Sequence, residues 1–299
     1  MFYGLLVFLA GCSYGLISTI YKLAYQQNFT VGEVVGSQNY AGLLMLLILN
    51  LLFFRPNVKL SQIPKLMAVG IPSALTGIFY AQSLQTLPAA VAVVFLFQFA
   101  WIGIAIESIA LRKWPSYDKV IAIPFLLGGT LMAGGIFELG KISISLNGAI
   151  WGLLASITFA LFIFLSGRVA TELPAINRSL FIIVGAVITI SLIYPPKFFI
   201  NGALLGELPI YGFIMGIFGT VIPPLFFAIG IPHIGSGLAS ILSSSELPVA
   251  VLVAALLLGE QISPLRWLGI GITLVGISMP YLLQYISEIR YRRSIKEKH

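Results

Sequence analysis

The chain has 299 residues, of which 59% are hydrophobic and 9% charged, and its mean hydropathy is +1.01. That composition excludes a water-soluble domain and places the chain among integral membrane proteins. The net charge of +7 does not point to nucleic acid, because the basic residues fall between apolar runs and in the terminal stretch RYRRSIKEKH, the pattern of a cytoplasmic membrane face.

The first apolar run, MFYGLLVFLAGCSYGLISTIYKLA, lacks a basic leader and is longer than a signal core, so it reads as a retained first span. It contains the single cysteine, Cys12, which rules out an intramolecular disulfide. Apolar runs cover residues 2–24, 34–54, 66–86, 89–111, 119–137, 146–167, 179–200, 208–231, 237–258 and 265–286. A hydrocarbon layer of ~30 Å takes ~20 helical residues to cross, so these are ten transmembrane helices. The connections are short, RPNVKLSQIPK and LRKWPSYDK among them, and leave no room for an inserted soluble domain. Pro195, Pro196, Pro223, Pro224 and Pro232 interrupt or border the seventh and eighth spans.

Lysine and arginine set the expected orientation. With the N-terminus inside, all 17 of them fall on inner segments except Lys22, Lys141, Lys197 and Arg266. Both termini are therefore expected in the cytoplasm of a cell with this protein in its plasma (inner) membrane.

The ten spans read as two sets of five. At an offset of 147, Tyr80–Thr130 superimposes on Phe227–Ile277 without a gap, with Ala81/Ala228, Ala92/Ala239, Leu111/Leu258, Ser116/Ser263, Ile123/Ile270, Leu127/Leu274 and Gly129/Gly276 identical. Span edges coincide, and Ser116 and Ser263 open the fifth and tenth spans alike. Near the starts, Ala10 with Tyr14-Gly15 matches Ala155 with Phe159-Ala160 at an offset of 145. Because five is odd, the second set crosses the membrane in the opposite sense. Such an inverted repeat places a transporter's substrate site near the midplane, where the halves meet. The expected division is a first repeat over 1–140, a second over 141–288, and a basic cytoplasmic tail over 289–299.

The stretch SSSELPVAVLVAALLLGEQISPLRWLGIGITLVGI resembles the end of the EamA-type repeat of the drug/metabolite transporter superfamily: small residues, a Pro-Val step, Leu-Gly-Glu at the span's end, then a glycine-punctuated last helix. In the first repeat Trp101 stands opposite Pro248, and Arg112-Lys113 replaces the Gly-Glu pair. The resemblance implies an all-α membrane fold of ten helices in two inverted repeats. It also implies a carrier for small metabolites, often an exporter of amino acids or related compounds, with a cavity lined by spans one, three, four, six, eight and nine.

Glu246 lies about ten residues, or ~15 Å, into the ninth span. A carboxylate at that depth costs ~3 kcal/mol or more unless it is paired, protonated or faces water, which makes it the leading candidate for a substrate and proton-coupling site. Pro248 removes a backbone donor and weakens the same depth. Ser243, Ser244 and Ser245 precede it; Ser243 is a candidate cavity residue, although small hydroxyl residues also serve helix packing. Gln98, with Phe95 and Trp101 on neighbouring turns of the fourth span, aligns beside Glu246 in the repeat comparison and needs a partner at that depth. Tyr14, Tyr80, Phe159 and Phe227 are candidate aromatic walls for an apolar or cationic substrate. Glu107 is expected to pair with a loop cation and Glu260 with Arg266, and Gln38, Asn39, Gln82 and Gln85 to snorkel or cap near the outer surface. His233 lacks a second ligand at metal spacing.

No GxxxxGK[ST] phosphate loop or HExxH zinc pair occurs, and the GxSxG pattern is met only by Gly11-Cys12-Ser13-Tyr14-Gly15 inside the first apolar run, not at a strand-to-helix turn, so ATP-driven transport and those enzyme classes lack support. The sequence reads as a non-enzyme without cofactor or metal, partnered by a small-molecule substrate and the bilayer, as a monomer or homodimer. Three functions compete: a secondary carrier of a small organic metabolite, a broad exporter of hydrophobic cations, and a non-transporting membrane scaffold or sensor.

Overall fold

The computed structural model describes residues 2–53, 58–138, 145–259 and 261–296. Among them every regular element is helical. Span one comprises α1 (Phe2–Tyr14) and α2 (Ile17–Gln26), span two α3 (Val31–Phe53), and span three α4 (Ile63–Thr86). Span four comprises α5 (Ala89–Leu96) and α6 (Phe99–Leu111), and span five is α7 (Tyr117–Ala133). Spans six and seven are α8 (Leu146–Ser166) and α9 (Ala175–Ile193). Span eight runs through α10 (Leu208–Met215), a π-helical segment Gly216–Val221 and α11 (Ile222–Ile234). Span nine comprises α12 (Ser236–Ser243) and α13 (Glu246–Leu258), and α14 (Pro264–Lys296) carries span ten into the expected tail. Nine of these passages have the length and hydropathy of a span among the described residues. The tenth, α7, is 17 residues long, or ~26 Å at the helical rise, and lies along α14.

Span seven begins four residues earlier than its apolar run and ends at Ile193. Pro174 pre-sets the first turn, and Pro195-Pro196 cannot continue the helix. The shift moves Arg178 from an expected loop into a buried helix position, where it is 1% exposed.

The packing obeys the repeat. α4 lies against α8, and its counterpart α11 lies against α1; α7 pairs with α14, α3 with α9, and α6 with α12. Each contact either joins two equivalent spans or has a symmetry mate, as expected of two five-helix halves related by a two-fold axis in the membrane.

Spans four and nine break at the same repeat position. Phe97 and Gln98 form a turn with dihedrals of −64°, −8° and −58°, −18°, and Ser244 and Ser245, 147 residues later, adopt −64°, −7° and −60°, −16°. At both breaks bonds tighten to the third residue back: Gln98 to Phe95 and Ala100 to Phe97, Ser245 to Leu242 and Leu247 to Ser244. A tightened bond strands the carbonyl one residue further back, and polar side chains take it. Gln98 Nε2 donates to Val94 O at 3.1 Å, and Ser244 Oγ donates to Ser240 O at 3.3 Å. In hydrocarbon such carbonyls need partners, which gives both side chains a backbone role.

Spans three and seven cross at glycines. A Cβ on Gly185 would meet the backbone of Met67, and one on Gly70 the backbone of Ile182 and Ala186. Backbone has nowhere to retreat, so Gly185→Ala is expected to destabilise by about 1–3 kcal/mol despite alanine's better helix propensity. Gly128→Ala in α7, where a Cβ meets nothing within 4 Å, is expected to leave stability unchanged or raised. Thermal transitions of the purified variants in one detergent check the pair.

Candidate substrate cavity

Where the halves meet, the side chains enclose a cavity of about 70 Å³. Its walls come from eight spans: Tyr14, Ile17 and Tyr21 from one, Gln38 and Asn39 from two, Ser73, Thr76, Gly77 and Tyr80 from three, Leu96 from four, Phe159 and Phe162 from six, Ile183 from seven, Gly219 and Thr220 from eight, and Glu246 from nine. Glu246 is the one carboxylate among them, and none is lysine, arginine or histidine.

Glu246 is 4% exposed. The break after Ser245 makes it the first residue of α13, so its carboxylate sits at the positive end of a half-helix. It accepts no hydrogen bond from another side chain among the described residues. A chain of polar groups lines the facing wall: Tyr21 donates to Gln38 Oε1 at 2.6 Å, and Gln38 Nε2 donates to Thr220 Oγ1 at 3.3 Å. Thr76 and Thr158 share a bond of 2.9 Å beside it.

Of the residues singled out from sequence, Glu246, Tyr14, Tyr80 and Phe159 line the cavity. Tyr14 and Phe159 are repeat equivalents and meet edge to face, with centroids 5.5 Å apart at 86°. Phe227 is fully buried behind them, 6.0 Å from Tyr14 and 6.4 Å from Phe159. Four others lie off the wall. Ser243 bonds its own helix at Ala239 O, Phe95 packs against Gly152 of α8, and Gln98 Oε1 accepts from the Trp101 indole at 2.8 Å. Trp101 is 41% exposed on the outside of the bundle.

Gln38 and Asn39, expected near the surface, are instead 7% and 9% exposed and part of the cavity wall. Their depth follows from α3 starting at Val31, a helical turn or so before its apolar run. Glu107 pairs with Lys119 at 2.6 Å and accepts from Ser236 at 3.1 Å, joining α6 to the start of α12. His233 stacks on Tyr3 at 3.7 Å. Arg266 donates to Ala133 O at 3.1 Å; its expected partner Glu260 lies outside the described residues. Among the described residues no group of three or more His, Cys, Asp or Glu is placed to hold a metal ion.

Two inverted five-helix repeats around a cavity at their junction define a membrane transporter of the drug/metabolite type. Residues 1–135 and 146–282 each match the EamA-like transporter family, and the chain belongs to that family. Members of the family are transporters, and the protein is accordingly an integral, multi-pass membrane transporter. No curated protein matches the chain. A solved structure described as "Crystal structure of protein" shares the fold with a TM-score of 0.73 at 15% identity, covering 94% of this chain and 98% of its own.

Proposed function

We propose that the protein carries a small organic metabolite, an amino acid or related compound, by alternating access, outward across the plasma (inner) membrane, with both termini cytoplasmic. Glu246 is the substrate and proton site. The observation that carries this reading is an unpartnered carboxylate in a midplane cavity without a cation. Such a group is costly in the membrane and is compensated by a proton or by the positive group of a solute, but not by both at once. Competition for one carboxylate makes the site an exchanger: a proton entering from one side displaces the solute, and the solute displaces the proton on the other. Tyr14, Tyr80 and Phe159 shape the apolar part of the solute, while Gln38, Asn39 and Thr220 offer polar contacts. The matched breaks in spans four and nine supply bends about which the halves rock.

The aromatic walls favour a second reading, export of hydrophobic cations, in which ring faces and Glu246 hold a quaternary or protonated amine. Counterflow in proteoliposomes separates the readings. Labelled amino acids exchanging against themselves support the first, and quaternary ammonium compounds alone support the second. No exchange of any tested solute leaves a scaffold or sensor. Labelling of single cysteines introduced near each terminus in a Cys12→Ser background tests the orientation, and termini on opposite faces would overturn it.

A further inference from the structure

Two residues that line the same cavity, Gly219 and Thr220, carry backbone acceptors that lose their helical donors. In the π segment of span eight the Ile222 N–H closes on Ile217 O. The next two residues, Pro223 and Pro224, have no N–H to give. Leu225 carries the first N–H of the regular α11 turn, which returns to Val221. The carbonyls of Phe218, Gly219 and Thr220 are therefore all left without a helical donor. Ser13 Oγ crosses from span one and donates to Phe218 O at 2.6 Å. Gly219 O and Thr220 O receive no comparable bond from any side chain among the described residues. Both residues are buried and both line the cavity, and Gly219, having no side chain, can present only backbone to it.

Buried carbonyls are paired in native structures, and in a membrane the cost of leaving one bare is several kcal/mol. Helical backbone interrupted at membrane depth and lining a polar cavity is also where transporters hold positive ions. Elsewhere in this chain the same loss is repaired by protein: Pro232 frees Ala228 O, and the Arg178 guanidinium takes it at 2.6 Å. At Gly219 and Thr220 no side chain among the described residues makes such a repair, and the one charged group on the cavity wall is an acid.

We propose that the Gly219 and Thr220 carbonyl oxygens, together with the Glu246 carboxylate, form an acceptor-only site for a small monovalent cation, either the primary ammonium of the transported solute or an alkali metal ion. The proposal rests on the reading of this cavity as the substrate site. It assigns span eight a direct part in recognition: the two prolines keep the carbonyls free, and the cation supplies the N–H donors or the ligand field that the helix lacks. A quaternary ammonium, which has no N–H to donate, fits the carbonyls poorly.

Substitution of the prolines tests it in a chemically specific way. Pro223→Ala returns an N–H to Gly219 O and Pro224→Ala returns one to Thr220 O, so the double variant fills the site from within while improving helix propensity. Thermal transitions of the purified full chain are measured in sodium chloride, potassium chloride and n-butylammonium chloride against choline chloride at equal ionic strength. The wild type is expected to be stabilised by at least one of the first three cations over choline, as a ligand of the native form must do. The double variant is expected to lose at least tenfold in apparent affinity for that cation without a fall in its own transition temperature. Stabilisation by butylammonium alone assigns the site to the solute, and by sodium or potassium alone to a metal ion. Equal response to all four salts in the wild type, or an undiminished response in the double variant, overturns the proposal. Should the double variant not fold, Pro223→Ala alone carries the same comparison. Cation binding that persists where counterflow fails for every solute would sink the transport reading and leave the site standing.

Discussion

Replacing Glu246 by Gln is expected to abolish accumulation of solute driven by a pH gradient and to weaken solute binding, while leaving the protein folded. Glutamine keeps the shape and can accept a hydrogen bond, but it can neither take up a proton nor balance a positive charge. One-for-one exchange with a proton converts each pH unit into about tenfold accumulation, since both correspond to ~1.4 kcal/mol. The wild type in vesicles with a one-unit gradient is therefore expected to approach a tenfold solute ratio, and Glu246→Gln a ratio of one. Stability is expected to hold or rise in the variant, because an unpaired carboxyl at 4% exposure is replaced by a neutral amide. A Glu246→Gln protein that still concentrates solute at the wild-type rate would remove the carboxylate from the coupling step.

The ten spans were legible because hydrocarbon thickness imposes a length, and the repeat because a shared offset aligned span edges. Glu246 was legible for a related reason: a lone carboxylate deep in an apolar run has few physical uses. What a one-dimensional reading lacks is rotation about the helix axis. Gln98 sits at the right depth, yet its amide closes a stranded carbonyl and its oxygen holds an outward-facing Trp101. Gln38 and Asn39 looked superficial because span two was started too late, and one turn of helix is enough to change depth and face together. The break in span nine was partly legible through Pro248, but the equivalent break in span four has no proline and was not. Its occurrence without one shows that a missing N–H is not required for the turn. Of the orphaned carbonyls of span eight, those of Gly219 and Thr220 follow from Pro223-Pro224 alone, and that of Phe218 only once the π register is known.

Arg178 gives the second large effect. Its side chain is 1% exposed and donates to Ala228 O at 2.6 Å and to Ser166 O, the last residue of α8. Two effects oppose each other when it is replaced by Met. Removing a buried cation recovers desolvation energy, which often makes an apolar replacement neutral when all its partners are apolar as well. Here the partners are backbone carbonyls that cannot be removed, and each is left unsatisfied at ~1–3 kcal/mol. The second effect is expected to win, with Arg178→Met losing about 2–4 kcal/mol net and Arg178→Lys less, since an ammonium reaches one carbonyl but lacks the fork that spans both. The cause can be isolated through Pro232. Pro232→Ala supplies an N–H to Ala228 O, so Arg178→Met is expected to cost measurably less in that background, with a coupling of about 1 kcal/mol or more in the double-mutant cycle. Additive losses in the thermal or denaturant unfolding of the four proteins would mean that Arg178 is held for a reason other than the carbonyl that the proline leaves behind.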